Sequence, residues 1–285
     1  MLFGFAVWDL LCIVLVSFSV CVLATALAIE SAALFVPIIL VVFPRLVPSF
    51  PTLTTNGAVG LTLVIMVFGQ TSAVSGYWYR GQIDWQTARA ILVLTIPFAV
   101  FARLISFLVP SSWLLALFAV FVLVLAVVVA VAHSTRWGST RRAASAGSSA
   151  VAIRISAFDA IAFRVSGLFA GLVGFSVGEV SNTILNAKNG VPMQFSVGTS
   201  TLVLYLTLLA ATLTNLGVVQ FGVFSGQEVV VPWYVAGIIA PVVLVGGQVG
   251  AFFNSRLSEP TIAKAMIATY VLVGLVSLSR AWTLF

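Results

Sequence analysis

Charge is what this sequence has least of. Only 7% of its 285 residues are Asp, Glu, Lys or Arg, where a soluble domain carries about a quarter. A soluble fold of this length could not cover itself with so little charge, and that class is excluded. Histidine occurs once, as His133 at a loop edge. A histidine-based metal cluster and a Ser–His pair are excluded with it. The two cysteines, Cys12 and Cys21, sit nine apart on one expected helix. They would stand about 13 Å apart, too far for a disulfide, and read as packing residues. No HExxH, GxSxG, Walker A or dinucleotide fingerprint occurs. The chain is therefore expected to be no enzyme and to need no cofactor or metal. Without a nucleotide domain, its energy must come from an ion gradient, the membrane potential, a partner or downhill flow.

What is abundant is apolar length. The residues AVILMFWYC make up 61% of the chain, in stretches long enough to span a bilayer and with no sizeable soluble domain between them. The expected class is an all-α polytopic membrane protein. The net charge of +6 belongs to short loops that orient such a protein, so no nucleic-acid partner is expected. The first segment has no Lys or Arg at its start and carries Asp9. It is therefore read as structure rather than as a secretory signal. Its apolar run, 10–43, would be roughly 50 Å long as one helix against a bilayer core of about 30 Å. Glu30-Ser31 and Pro37 interrupt it, which predicts two helical pieces folded as a hairpin. Three simpler spans are expected near 58–76, 88–109 and 112–132.

The composition then changes. Residues 133–149 hold Arg136, Arg141 and Arg142 among Ser, Ala and Gly, with no acid. This is expected to be a cytoplasmic loop and the midpoint of the chain. Beyond it the pattern recurs, with a broken segment near 156–187 and spans near 195–215, 232–253 and 262–280. Glu30 matches Glu179, Ala58-Val59-Gly60 matches Ser196-Val197-Gly198, Trp85 matches Trp233, and Pro110 matches Pro260. The division expected is a first transmembrane repeat over 1–133, a basic loop over 134–155 and a second repeat over 156–285. Each repeat would be a broken-helix hairpin plus three transmembrane helices, and the odd count would invert the second. Arg80, Arg89, Arg136, Arg141, Arg142, Arg154, Arg164, Lys188, Arg256 and Lys264 then fall inside. Outside are Arg45, Arg280 and the loop 217–231 with Glu228. The positive-inside rule favours this inverted arrangement, in which both termini face outward.

Ionisable groups within a membrane are costly and usually face the protein interior or a water-filled cavity. Glu30, Glu179 and Arg103 are the deeply placed ones here. The two glutamates stand at equivalent breaks, and inverted repeats with interrupted helices bind their cargo where the repeats meet. Asn182 and Asn186 follow Glu179 at i+3 and i+7, a polar stripe on one helical face. Gln194, Thr199, Ser200 and Thr201 open the next span. In the first half the counterparts are Ser31 and, further on, Gln70, Thr71, Ser72 and Ser75. Any single Ser or Thr of these serves equally as a bond between neighbouring helices. Arg103, about seven residues before Pro110, either snorkels to the interface or binds an anionic group. Tyr77-Trp78-Tyr79-Arg80 reads as an interfacial belt.

The stretch Ser196-Val197-Gly198-Thr199-Ser200 resembles the "AVGTS" signature of the TauE/SafE sulfite-exporter family, also called the 4-toluene sulfonate uptake permeases. Gly167-Leu168-Phe169-Ala170-Gly171-Leu172-Val173-Gly174-Phe175 is similar to the Gly-rich run ahead of that family's second broken helix. Ala58-Val59-Gly60 matches in the first half. Gly76 with Gly81-Gln82-Ile83-Asp84-Trp85 resembles its "G…G.idw" loop, and Gly246-Gly247-Gln248-Val249-Gly250-Ala251 its "G..lGa" helix. The likeness covers nearly the whole chain in the right order. This sequence departs from the family at both breaks. Ala28-Ile29-Glu30-Ser31-Ala32-Ala33 and Val177-Gly178-Glu179-Val180-Ser181-Asn182 stand where the family has glycine-rich runs, with Pro37 kept and Asn186 at the second proline position.

The resemblance implies a secondary transporter, most simply an exporter, of small sulfur-containing anions such as sulfite or organosulfonates, in the inner (cytoplasmic) membrane. Glu30 and Glu179 would bind protons, with their charge state linked to the anion's occupancy during alternating access. Substrate contacts would come from Glu30, Ser31, Gln70, Ser72, Arg103, Glu179, Asn182, Asn186, Thr199 and Ser200. The expected partners are a small anionic solute, protons, the lipid bilayer and a second copy in a homodimer. The rival readings are a carrier of a cation or of a zwitterionic sulfur compound, and a membrane-embedded subunit that transports nothing.

Overall fold

A backbone in hydrocarbon must satisfy its hydrogen bonds within the chain, and this one does so with helices. The computed structural model describes residues 6–27, 29–136, 155–222, 231–254 and 256–284. Arg141, Arg142, Arg154, Glu228 and most of the basic loop lie outside them. Among the described residues there is no strand, and seven helices are long and apolar enough to cross a membrane. The protein is an all-α, multi-pass membrane protein.

The first long helix is α1 (Val7–Ala26). After a break come α2 (Ala32–Pro37), a π-helical turn (Ile38–Val42) and α3 (Phe43–Leu46). Three uninterrupted helices follow: α4 (Thr55–Tyr79), α5 (Trp85–Ser106) and α6 (Ser111–Arg136). The second broken segment is α7 (Ala157–Val173), α8 (Val177–Asn182) and another π-helical stretch (Thr183–Lys188). Last come α9 (Met193–Phe221), α10 (Trp233–Asn254) and α11 (Glu259–Trp282). Local chemistry explains the boundaries. Thr54 caps α4 by accepting from Gly57 N, and Asp84 caps α5 by accepting from Gln86 N and Thr87 N. Ser156 and Asp159 form a reciprocal capping box on α7, satisfying two of the donors a helix start leaves free.

The predicted stop at Pro37 does not occur. The helix runs through the proline into the π-helical turn, a wider winding that accommodates the hydrogen bond the proline removes. The break expected near Glu30-Ser31 is present, between α1 and α2.

Each broken segment returns to the end at which it began. Ser49, just past α3, donates to the Asp9 carboxylate in the first turn of α1. Lys188, closing the second segment, reaches Asp159 in the first turn of α7 at 2.6 Å and Ser156 at 3.0 Å. Both segments are hairpins, each tied across its open end by an acid.

In the packed molecule α4 lies against α9. Helix α5 packs on α9 and α7, α10 on α4 and α1, and α6 on α11. The hairpin returns α2 and α8 rest on α4 and α9. The α5–α7 seam is closed by glycines: a Cβ on Gly167 would meet Thr95 O at 2.5 Å, and one on Gly171 would meet Ala99 O at 2.1 Å. On the α1–α10 seam, Gly250 comes within 2.6 Å of Thr25 Cβ in the same sense. Helices in lipid gain little from apolar burial, so close backbone approach at small residues is what holds them. Cys12 and Cys21 are free thiols, and Cys21 packs on α10 with its Sγ 3.2 Å from Val243 O.

Candidate functional site

The two hairpin breaks meet. Glu30, 7% exposed, leaves the first break and sets its carboxylate on the start of α8. Ser176 N donates to Oε2 at 2.8 Å, Gly178 N to Oε1 at 2.8 Å and Glu179 N to Oε1 at 3.3 Å. The backbone there is shaped for this contact. Gly174 has φ +87° and Ser176 φ +110°, a region that side chains other than Gly rarely occupy. It turns successive N–H groups toward one point. Position 178 holds glycine because a Cβ would lie 2.9 Å from Glu30 Oε1. A helix start of this kind attracts negative charge through unpaired N–H groups.

Glu179, one residue on, is half-buried and accepts a short hydrogen bond from the Tyr270 hydroxyl. Tyr270 is fully buried in the middle of α11, and Leu204, which flanks Gly178, stands near the middle of α9. The carboxylates therefore lie midway along the long spans. One flank is apolar and closed: Phe175, in the second break, packs edge-on against Phe118 at 5.4 Å and Phe121 at 5.3 Å. Ser31 is buried beside Glu30 at the start of α2.

The other expected site residues lie elsewhere. Asn182 accepts from Ser196 Oγ at 2.7 Å, and Asn186 donates to Val191 O at 2.9 Å. Asn182 thus joins the segment to α9 and Asn186 closes the turn ahead of it, because the π-helical stretch ends the regular winding that the i+3, i+7 stripe assumed. Thr199 Oγ1 accepts from Asp84 N at 2.9 Å, and Ser200 Oγ bonds within its own helix to Val197 O at 3.1 Å. Ser72 accepts from Gln248 Nε2 at 3.3 Å. With Thr71 and Ser75 it lines an open groove of about 660 Å³ between α4 and α10, and Gln70 is half-buried on the same helix. Arg103 does not snorkel. It is fully buried and bonded to Asn215 and to Asn56 O. In the stretch Tyr77–Arg80, Trp78 and Tyr79 are exposed and Trp78 is edge-on to Trp85 at 5.9 Å.

Tyr270, Asn56, Asn215 and the Asp159–Lys188 tie were not singled out from the sequence. Asn56 and Asn215 carried a signal, since amides within apolar helices need partners. Tyr270 is marked only by a lone hydroxyl in an apolar helix.

A profile of the family described as "Sulfite exporter TauE/SafE" matches residues 13–277. The chain belongs to this family. Neither a curated protein nor a solved structure matches it. TauE/SafE is a transporter family, so the chain is a membrane transport protein. In this TauE/SafE chain two glutamates lie midway along the long helices, one of them received by three backbone donors.

Proposed function

We propose that the protein is a secondary transporter of small sulfur-containing anions, sulfite or an organosulfonate, and that it exports them across the cytoplasmic membrane by alternating access. The observation that carries this reading is the Glu30 carboxylate held by Ser176, Gly178 and Glu179 N–H at the meeting of the hairpins. A group of backbone donors that accepts a carboxylate here, midway along the spans, suits an anionic cargo. Glu30 and Glu179 are the proton-binding groups in this proposal, and Ser31 lies beside them.

The architecture proposed is two inverted repeats, 1–133 and 156–285, joined by a basic loop at 134–155. Three features support it. Each half begins with a hairpin tied at its open end, Asp9 to Ser49 and Asp159 to Lys188. Each hairpin returns through a six-residue helix that passes into a π-helical turn. Trp85 and Trp233 open corresponding helices. A hairpin that returns to its own side, followed by three spans, puts the next hairpin on the opposite side, and such inverted units bind where they meet.

The rival cation carrier is disfavoured by the same geometry. Glu30 turns both oxygens to N–H donors, and among the described residues no group of three or more His, Cys, Asp or Glu could hold a metal ion. The test is flux into vesicles containing only the purified protein. Sulfite, sulfoacetate and taurine are supplied against chloride, acetate and simple cations, with and without a pH gradient. Saturable movement of sulfite or sulfoacetate, with loss of its proton dependence in Glu179→Gln, is expected. Movement only of cations or of taurine would select the rival, and no movement of any solute would sink the transport assignment of this chain.

A further inference from the structure

The Glu30–Glu179 pair leaves one buried charge unused. Arg103, near the end of α5, is fully buried. Its Nε donates to Asn215 Oδ1 at 3.1 Å, and its Nη2 donates to the same oxygen and to Asn56 O at 3.1 Å. Its guanidinium carbon lies 4.8 Å from the centre of the Phe107 ring. The elements packed around it, the start of α4 and the end of α9, contribute Asn56 and Asn215 and no acid. Among the described residues the one salt bridge is Lys188–Asp159, so no carboxylate balances this guanidinium.

Three polar atoms of the cluster are buried without a hydrogen-bond partner: Arg103 Nη1, Asn215 Nδ2 and Asn56 Oδ1. A buried cation without a counter-charge is among the costlier arrangements a membrane protein can hold. The sequence passes over a simple remedy. Aspartate at 215 would keep the same contacts to the guanidinium and neutralise it, whereas asparagine keeps the contacts and leaves the charge available. The amide of Asn56 is meanwhile fixed by its bond to Ser106 O at 2.7 Å, and Ser106 Oγ is tied back to Arg103 O at 2.7 Å. The frame around the charge is built and rigid.

We propose that Arg103, Asn215 and Asn56 form a second binding site, for a small anion. Arg103 Nη1 and Asn215 Nδ2 donate to it, and Asn56 Oδ1 accepts a hydrogen bond from a protonated oxygen of the bound group or from a water that accompanies it. The cluster sits at the start of α4 and the ends of α5 and α9, away from the glutamates at mid-span. Resting on the transport reading, it is the anion's station at the end of the path opposite the basic loops. The chemistry fits a resident halide and a sulfur oxyanion alike, and the experiment separates them.

Purified protein is unfolded thermally in gluconate buffer at constant ionic strength while chloride, sulfite or ethanesulfonate is titrated in. A ligand of the folded state raises stability by mass action. The wild-type protein should show saturable stabilisation, and Arg103→Gln should show none. Asn215→Asp, which supplies an internal carboxylate in unchanged geometry, should be more stable than wild type in gluconate alone and respond at least tenfold more weakly. Response to sulfite and ethanesulfonate above chloride marks the cargo, and response to chloride above both marks a resident ion; either supports the site. No anion response in the wild type, or an equal response in Asn215→Asp, overturns it and leaves water as the occupant. Binding is read here without flux. Anion stabilisation with no transport would therefore refute the transport reading and keep the site, and flux by a protein that shows no anion stabilisation would do the reverse.

Discussion

Replacing Glu30 by glutamine tests whether the hairpin contact holds the two halves together. The side chain keeps its length, so packing is preserved and only the acceptors change. An amide can present its one oxygen to Gly178 N and Glu179 N, which then sets its NH₂ against Ser176 N. That N–H belongs to a fully buried residue, and losing its partner costs about 1–3 kcal/mol. The two surviving bonds pass from charge-assisted to neutral, a further loss of about 1 kcal/mol each at most. Relief from burying a charge works the other way, and the net expectation is a loss of about 2 kcal/mol. Glu30→Ala, which leaves all three donors bare, should lose about 3–5 kcal/mol. Unfolding of the purified protein in mixed micelles can be followed through its seven tryptophans, which are spread over both halves. Glutamine and alanine variants as stable as wild type would refute the reasoning, because the three N–H bonds would then contribute nothing net.

The remaining predictions concern packing, the hairpin mouth and Tyr270. Gly171→Ala drives a methyl to 2.1 Å from Ala99 O and should cost roughly 3 kcal/mol or more by the same unfolding measurement. Gly237→Ala, with nothing within 4 Å, should be neutral or stabilise by up to about 1 kcal/mol. Lys188→Met should cost about 1 kcal/mol, since the lysine is 48% exposed. Asp159→Ala, which also loses the α7 capping box, should cost roughly 2–3 kcal/mol, and a reversed order would show that the cap is idle. Tyr270→Phe removes the hydroxyl bound to Glu179 and should cost roughly 1.5–3 kcal/mol. It should also slow sulfite flux in vesicles, and unchanged flux would remove Tyr270 from the site.

The spans were legible because hydrocarbon leaves a chain few options. Runs of about 20 apolar residues become helices, and the expected spans agree with the observed ones to within a few residues. The breaks were legible because a glutamate in an apolar run is expensive. What periodicity could not supply was which helix ends meet. That Glu30 reaches Ser176, Gly178 and Glu179 across the chain depends on the φ of +110° at Ser176 and on the missing Cβ at Gly178, neither of which patterns with period. Pro37 and the Asn182–Asn186 stripe were misjudged for one common reason. Both sit at π-helical turns, where 3.6-residue winding fails. Arg103 was ambiguous because its distance from Pro110 allows snorkelling, and only the positions of Asn56 and Asn215 on other helices bring it inward.

The two glutamates occupy matching places in the proposed repeats but are held by different chemistry. The corresponding helix α6 carries no hydroxyl in its middle, where Phe121 stacks on Phe169 at 3.7 Å. Glu179 therefore has a side-chain donor that Glu30 cannot have on the corresponding helix, and Glu30 takes backbone donors at the opposing hairpin. Reversing these roles would leave Glu30 without a side-chain donor in the middle of α6, so the carboxylates are not interchangeable. The duplicated scaffold proposed above accounts for both lying midway along the spans. In the proton-linked carrier proposed above, the Tyr270 hydroxyl gives the two carboxylates unlike surroundings and so unlike proton affinities. Supplying that hydroxyl to the other half, by Phe121→Tyr, should bring the proton dependence of flux in Glu30→Gln and Glu179→Gln closer together. If the two glutamine variants differ as much in the Phe121→Tyr background as they do with Phe121 in place, the asymmetry has another source.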